Sequence, residues 1–175
     1  MKDRAHRKKK AAHLYEAATL QSRDPVFYAE LGVPDTIDGR FEMLVLHCSI
    51  IICRLKNVGK TKLSQALFDK LFKQIDPMLR EMGVGDLSVP KHMKRMMQGF
   101  NGRIRNYIEA IENKDKKILK EALVRNVYGT LKVEEVREEG LAVLADYVLK
   151  NSAMETDMPE FTEINSKEGN KNVAA

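Results

Sequence analysis

The chain has 175 residues, 43% hydrophobic and 31% charged, enough to bury one core without disulfides or a structural metal. Its net charge of +5 resides entirely in residues 1–10, where six Lys and Arg face the single acid Asp3; residues 11–175 are neutral in sum, so the basic total does not describe the body. The longest uncharged apolar run, 43–53, falls short of the roughly 20 residues of a bilayer span, and the basic start lacks the apolar segment of a secretory signal, so residence in a reducing cytosol is expected.

Apolar residues recur at spacings of three and four and strand signals are nearly absent, which predicts an all-α fold: a single compact domain of about six to seven helices without an internal repeat. Residues 1–22 form a basic N-terminal helix, with Leu14, Ala17, Ala18 and Leu20 as a modest stripe. The helical domain follows over 23–153. Asp24-Pro25 opens a short turn carrying Val26, Phe27, Tyr28 and Leu31, with proline where its missing N–H costs nothing. Gly32-Val33-Pro34-Asp35-Thr36 ends that turn.

The helix over about Ile37 to Asn57 holds the core. Phe41, Val45, Cys48, Ile52 and Leu55 form one apolar line and Met43, Leu46, Ile50 and Cys53 another roughly 160° away, so it packs on both sides. Two polar seams separate the lines: Arg40, His47 and Arg54, then Glu42, Ser49 and Lys56. Thr61 is expected to cap the next helix, which presents Leu63, Leu67, Leu71, Phe72, Ile75, Leu79 and Met82 until Asp76-Pro77 kinks or breaks it. After Gly83-Val84-Gly85, Ser88 caps a helix with Pro90 in its first turn, running continuously to about Ile111. Asp115 caps a shorter helix ending at Gly129, and a final helix spans about Lys132 to Lys150. Residues 154–175, with five acids against Lys167 and Lys171 and no helical period, are expected to be disordered.

No chemistry-bearing constellation emerges. Gly59-Lys60-Thr61 lacks the first glycine of a P-loop, since Arg54 stands there, and follows a helix rather than a strand; Gly83-Val84-Gly85 lacks the third glycine of a dinucleotide fingerprint. His6, His13, His47 and His92 have no metal-ligand spacing, and His47, in a polar seam of the core helix, reads as a hydrogen-bonded structural residue. Cys48 and Cys53 lie about 140° apart around one helix, cannot pair, and serve as small apolar fillers. No Ser or Cys comes with a base and an orienting acid, so neither enzyme, cofactor nor metal is expected.

Two charged features remain. Val89 to Ile108 carries Lys91, Lys94, Arg95, Arg103 and Arg105 without an acid, either a solvated face or a partner surface. Arg103 sits at the edge of the buried face and needs a partner such as Asp86, Asp35 or Asp38. The cluster at residues 2–10 either attracts an anionic membrane surface, at about 1 kcal/mol per basic residue, or solubilises the end.

The segments Phe27 to Met43, Gln65-Ala66-Leu67-Phe68-Asp69, Leu79-Arg80-Glu81-Met82-Gly83-Val84-Gly85-Asp86-Leu87, then Lys91, Lys94, Phe100, Gly102 and Arg103, and finally Asn126-Val127-Tyr128-Gly129, resemble the ubiquinol-cytochrome c chaperone family in order and spacing. The likeness runs from about Tyr15 to Leu149 and is nearest to short bacterial members. It implies a non-enzymatic chaperone that binds newly made cytochrome b and supports its entry into the cytochrome bc1 complex. The expected client surface comprises Asp35, Asp38, Arg40, Arg80, Met82, Gly83, Gly85, Asp86, Leu87, Lys91, Lys94 and Arg103, surrounded by the adaptable methionines Met78, Met82, Met93, Met96 and Met97. Asp86 either pairs with Arg103 or faces the client. In this reading the protein is cytoplasmic, with peripheral contact at the cytoplasmic face of the inner membrane through residues 2–10, and takes no nucleic acid and no metal. The competing class is a nucleic-acid or ribosome-binding adaptor using residues 2–10 and the basic helix.

Overall fold

The computed structural model describes residues 2–81, 83, 85–88, 90, 91, 94 and 99–164. Every regular element among them is helical: α1 (Lys2–Ser22), α2 (Pro25–Ala29), α3 (Ile37–Asn57), α4 (Thr61–Lys73), α5 (Ile75–Glu81), α6 (Phe100–Glu112), α7 (Lys116–Asn126), a 3-10 turn (Val133–Glu135) and α8 (Glu138–Ser152). The expected all-α single domain is what forms, and no described helix is long and apolar enough to cross a membrane.

α3 is the axis of the domain. Every side chain from Phe41 to Leu55 is buried, because α1 and α4 cover one flank while α6 and α8 cover the other. At about 1.5–3 kcal/mol for each large apolar side chain, this helix anchors the fold. Its polar seams are buried with their partners: the Ser49 hydroxyl donates to the Val45 carbonyl at 2.8 Å. The His47 Nδ1 lies 2.7 Å from the Met43 carbonyl oxygen, which can only accept, so Nδ1 carries the proton and Nε2 accepts from the Tyr147 hydroxyl at 3.1 Å. Burial lowers the His47 pKa to about 4, keeping the ring neutral as the structural histidine expected. Cys48 and Cys53 are buried and unpaired.

Asp115 caps α7 as expected, accepting from the Ile118 N–H at 2.9 Å. Four local expectations are corrected. Thr61 is the first residue of α4 rather than its cap; Lys60 holds the cap position without a side-chain hydrogen bond. The break expected at Asp76-Pro77 comes earlier, at Gln74, so that Pro77 falls in the first turn of α5, where no N–H is required. The continuous helix expected from Ser88 is interrupted at Gly99, whose φ of +77° is left-handed and starts α6 afresh; Val89, Met93, Met96 and Met97 lie outside the described residues. The final helix begins at Glu138 rather than Lys132. Glu135 folds back to accept from the Lys132 N–H at 2.8 Å, closing a separate turn, and α8 then passes so near Leu31 that a Cβ on Gly140 would stand 2.4 Å from the Leu31 carbonyl oxygen.

The expected disorder from residue 154 does not hold for 154–164, which return across the core. Fully buried Arg54 holds them: its Nε donates to the Asn151 carbonyl at 2.5 Å and Nη1 to the Glu160 carbonyl at 2.6 Å, and its guanidinium lies over the Phe161 ring at 4.9 Å. Phe161 meets the His47 ring edge-on at 5.2 Å, Asn151 exchanges hydrogen bonds with Thr162, and Asp157 receives both Lys10 and Lys60.

Candidate functional site

The residues expected to meet a client divide into three local units. The first is the start of α3. The Thr36 hydroxyl caps the helix, accepting from the Gly39 N–H at 3.1 Å, and the Pro34 carbonyl presses so closely on that turn that a Cβ on Gly39 would stand 2.0 Å from its oxygen. This tight entry throws Asp35 and Arg40 outward, where the guanidinium grips the carboxylate with two bonds of 2.5 and 3.2 Å. Those bonds lower the Asp35 pKa. Both side chains are about half exposed, so the pair adds at most ~1 kcal/mol to stability and chiefly fixes where the two charges stand. Arg40 is a shared wall between two hollows, one of about 290 Å³ against Tyr15 and Met78 and one of about 450 Å³ against Tyr28.

The second unit is buried. Arg103, from the first turn of α6, donates through Nη1 to Glu42 Oε1 on α3 at 2.7 Å, with its guanidinium 6.0 Å from the Phe41 ring centre. The expectation that Asp86 or Asp35 would pair with Arg103 is corrected: Asp35 is held by Arg40 and Asp86 by Arg80. The physical reason is that α6 packs along α3, bringing Arg103 against Glu42, one turn beyond Asp38. Burial is the larger influence on Glu42 and raises its pKa to about 7, against the pull of Arg103; Asp38 adds to the rise. Its second oxygen, Oε2, is buried without a hydrogen-bond partner among the described residues. Beside this pair Phe100 lies 6.2 Å from Phe41, 5.7 Å from Phe68 and 6.2 Å from Phe72, a ring cluster that carries the start of α6 on α3 and α4.

The third unit is the junction after α5. Arg80 donates to Asp76 at 3.0 Å on its own helix and also to Asp86 beyond the glycines, tying the chain's exit back to α5. Gly83 adopts φ +79°, a left-handed turn that glycine takes freely, and its N–H returns to the Arg80 carbonyl at 3.0 Å. The Ser88 N–H closes the next turn on the Gly85 carbonyl at 2.7 Å. These two turns lift Leu87 clear of the protein, with 99% of its surface exposed. Lys91 and Lys94 are exposed beyond it, and Met82 lies outside the described residues.

Sequence reasoning placed Glu42 only in a polar seam and overlooked Arg23, which lines both hollows beside Arg40 and pairs with Glu81 at 3.6 Å. The available signal for Glu42 was an acid between Phe41 and Met43 on a helix buried all round, which demands a cation. Among the described residues no group of His, Cys, Asp and Glu is arranged to hold a metal ion.

The model of the ubiquinol-cytochrome C chaperone family matches residues 29–162. The chain is 27% identical over 142 residues to ubiquinol-cytochrome c reductase complex assembly factor 1 of Mus musculus, covering 80% of this chain and 47% of that protein. It is 25% identical over 126 residues to ubiquinol-cytochrome-c reductase complex assembly factor 1 of Xenopus laevis, covering 71% of this chain and 61% of the relative. The chain thus spans about half to three-fifths of these relatives. Its fold is similar to the crystal structure of the Cbp3 homolog from Brucella abortus, with a TM-score of 0.71 and 30% identity over 93% of this chain and 94% of the other.

Proposed function

We propose that this chain, which belongs to the ubiquinol-cytochrome C chaperone family, is a non-enzymatic chaperone that binds newly made cytochrome b and carries it into the cytochrome bc1 complex. The observation that carries this reading is the family match over residues 29–162. The surface around the α3 entry and the α5 exit is compatible with it. A client of apolar transmembrane helices with charged loops asks for apolar contact beside oriented charge of both signs. Leu87 supplies an apolar group held away from the body, while Asp35, Arg40, Arg80 and Asp86 supply charges fixed in pairs that a client loop can exchange. The protein works at the cytoplasmic face of the inner membrane, touching it peripherally through its basic N-terminal residues. The nucleic-acid alternative has less behind it, since the body's charges are largely compensated by acids, as at Lys56 with Glu112 and Lys120 with Glu138.

Deleting the gene and measuring each respiratory complex tests the function. Selective loss of the bc1 complex is expected, and an unchanged bc1 level refutes it. Photoreactive residues at Leu87 and Lys91 test the surface: capture of cytochrome b in cells is expected, and capture only from positions outside the proposed surface, such as Lys117, refutes the placement.

A further inference from the structure

α1 runs alongside α4 and α5 in the same direction. Lys10 and Lys60 meet at Asp157, the Lys70 ammonium lies 5.6 Å from the Tyr15 ring centre, and Arg23 reaches Glu81. Between α1 and α4 the outer seam stays open, because Ala11, Ala12 and Ala66 at its floor are too small to fill it, leaving a hollow of about 560 Å³. Its rim is cationic from both helices: Arg4, Arg7 and Lys8 from α1, and Lys62, Lys70 and Lys73 from α4. The carboxylate of Asp69 is the sole acid in the lining and already accepts from the Gln65 amide at 2.9 Å.

Neighbouring lysines on this protein have acids, Lys10 and Lys60 sharing Asp157 and Lys56 taking Glu112. Among the described residues Arg4, Arg7, Lys8, Lys62 and Lys73 form no ion pair. Cations lining one groove repel one another unless anions sit among them. The alanine floor offers neither an aromatic face on which a nucleobase could stack nor an acceptor to read its edge, so the hollow selects charge rather than base. Phe72, on the same helix but outside the lining of the hollow and 6.2 Å from Phe100, is 49% exposed, an apolar ring on the helix that carries Lys62 and Lys73. That pairing of aromatic and cation suits the interface of a bilayer.

We propose that the α1–α4 groove docks the protein on an anionic phospholipid surface, with headgroup phosphates seated between Arg4, Arg7 and Lys8 on one side and Lys62 and Lys73 on the other. This deepens the membrane contact proposed above by making α4 half of the site, and it rests on that reading for the source of the phosphate.

Flotation of the full chain with phosphatidylcholine vesicles, with and without phosphatidylglycerol, tests it. Binding is expected only to the anionic vesicles. The double substitution Lys62→Gln, Lys73→Gln should weaken it about 25-fold, about fivefold for each cation removed near the surface. Lys117→Gln with Lys150→Gln removes the same charge elsewhere and should change it less than about twofold. Equal loss in both pairs would leave only net charge, and no loss in the first pair would remove α4 from the site. Displacement by millimolar inorganic phosphate at constant ionic strength would make the ligand a free anion. A polyuridine competitor that strips the protein from the vesicles would make it RNA, and either result overturns the proposal. No client is present in this assay, so its failure is distinct from failure of bc1 assembly, and an intact bc1 complex in the deletion strain would leave vesicle binding untouched.

Discussion

Two buried groups with opposed proton affinities should make the stability of this protein nearly independent of pH over a window where each alone would tilt it. Glu42 has a pKa of about 7 when folded against its usual 4.5, so the folded state keeps a proton that the unfolded chain releases. Its contribution is fully present below pH 4.5 and is lost as pH rises to about 7. His47 has a pKa of about 4 when folded against its usual 6.5, so the unfolded chain takes up a proton that the folded state refuses. Its contribution is fully present above pH 6.5 and is lost as pH falls to about 4. At about 1.4 kcal/mol per pH unit, each displacement is worth about 3 kcal/mol, and between pH 4.5 and 6.5 the two slopes oppose each other. The carboxylates held low by cations, Asp157 and Asp35, act only below that window. Urea unfolding followed by circular dichroism should therefore give a flat profile for the native chain. Glu42→Gln should make stability rise by about 2 kcal/mol from pH 4.5 to 6.5, and His47→Gln should make it fall by as much. The intercepts will move with the lost contacts, but the slopes carry the test. A profile that stays flat in Glu42→Gln refutes the opposition of these two groups.

Gly39→Ala should destabilise the domain by about 1–3 kcal/mol, since its Cβ would stand 2.0 Å from the Pro34 oxygen; calorimetry should read a melting temperature lower by about 2–4 °C per kcal/mol. Arg54→Met should cost about 2–4 kcal/mol and release residues 154–164, because the Asn151 and Glu160 carbonyls lose their donor; limited proteolysis should cut there in the variant and not in the native chain. Leu87→Ser should leave the unfolding midpoint within about 0.5 kcal/mol of native while reducing cytochrome b capture by a crosslinker at Lys91; undiminished capture would take Leu87 out of the client surface.

The amino-acid sequence by itself determined what short-range rules encode. The double apolar line of α3 demanded a helix covered on both flanks, Asp115 stood where a cap was needed, and the absence of alternating patterns excluded strands. These features repeat or act within four residues, so each is visible without knowing where the chain goes next. Of the candidate site, the glycine turn at Gly83 was legible for the same reason, whereas the pairing of Asp35 with Arg40 was not. Tertiary structure alone decided which charges meet. Glu42 and Arg103 are 61 positions apart, and Arg54 reaches its carbonyl partners across 97 and 106. Among many acids and cations, composition favours no particular pairing; packing of α6 on α3 selects one by making every other choice leave Glu42 buried beside no cation. The return of residues 154–164 was hidden likewise, because a polar segment with one phenylalanine has no reason of its own to be ordered. Its order comes from Arg54, a buried guanidinium that needs more acceptors than its own helix can provide.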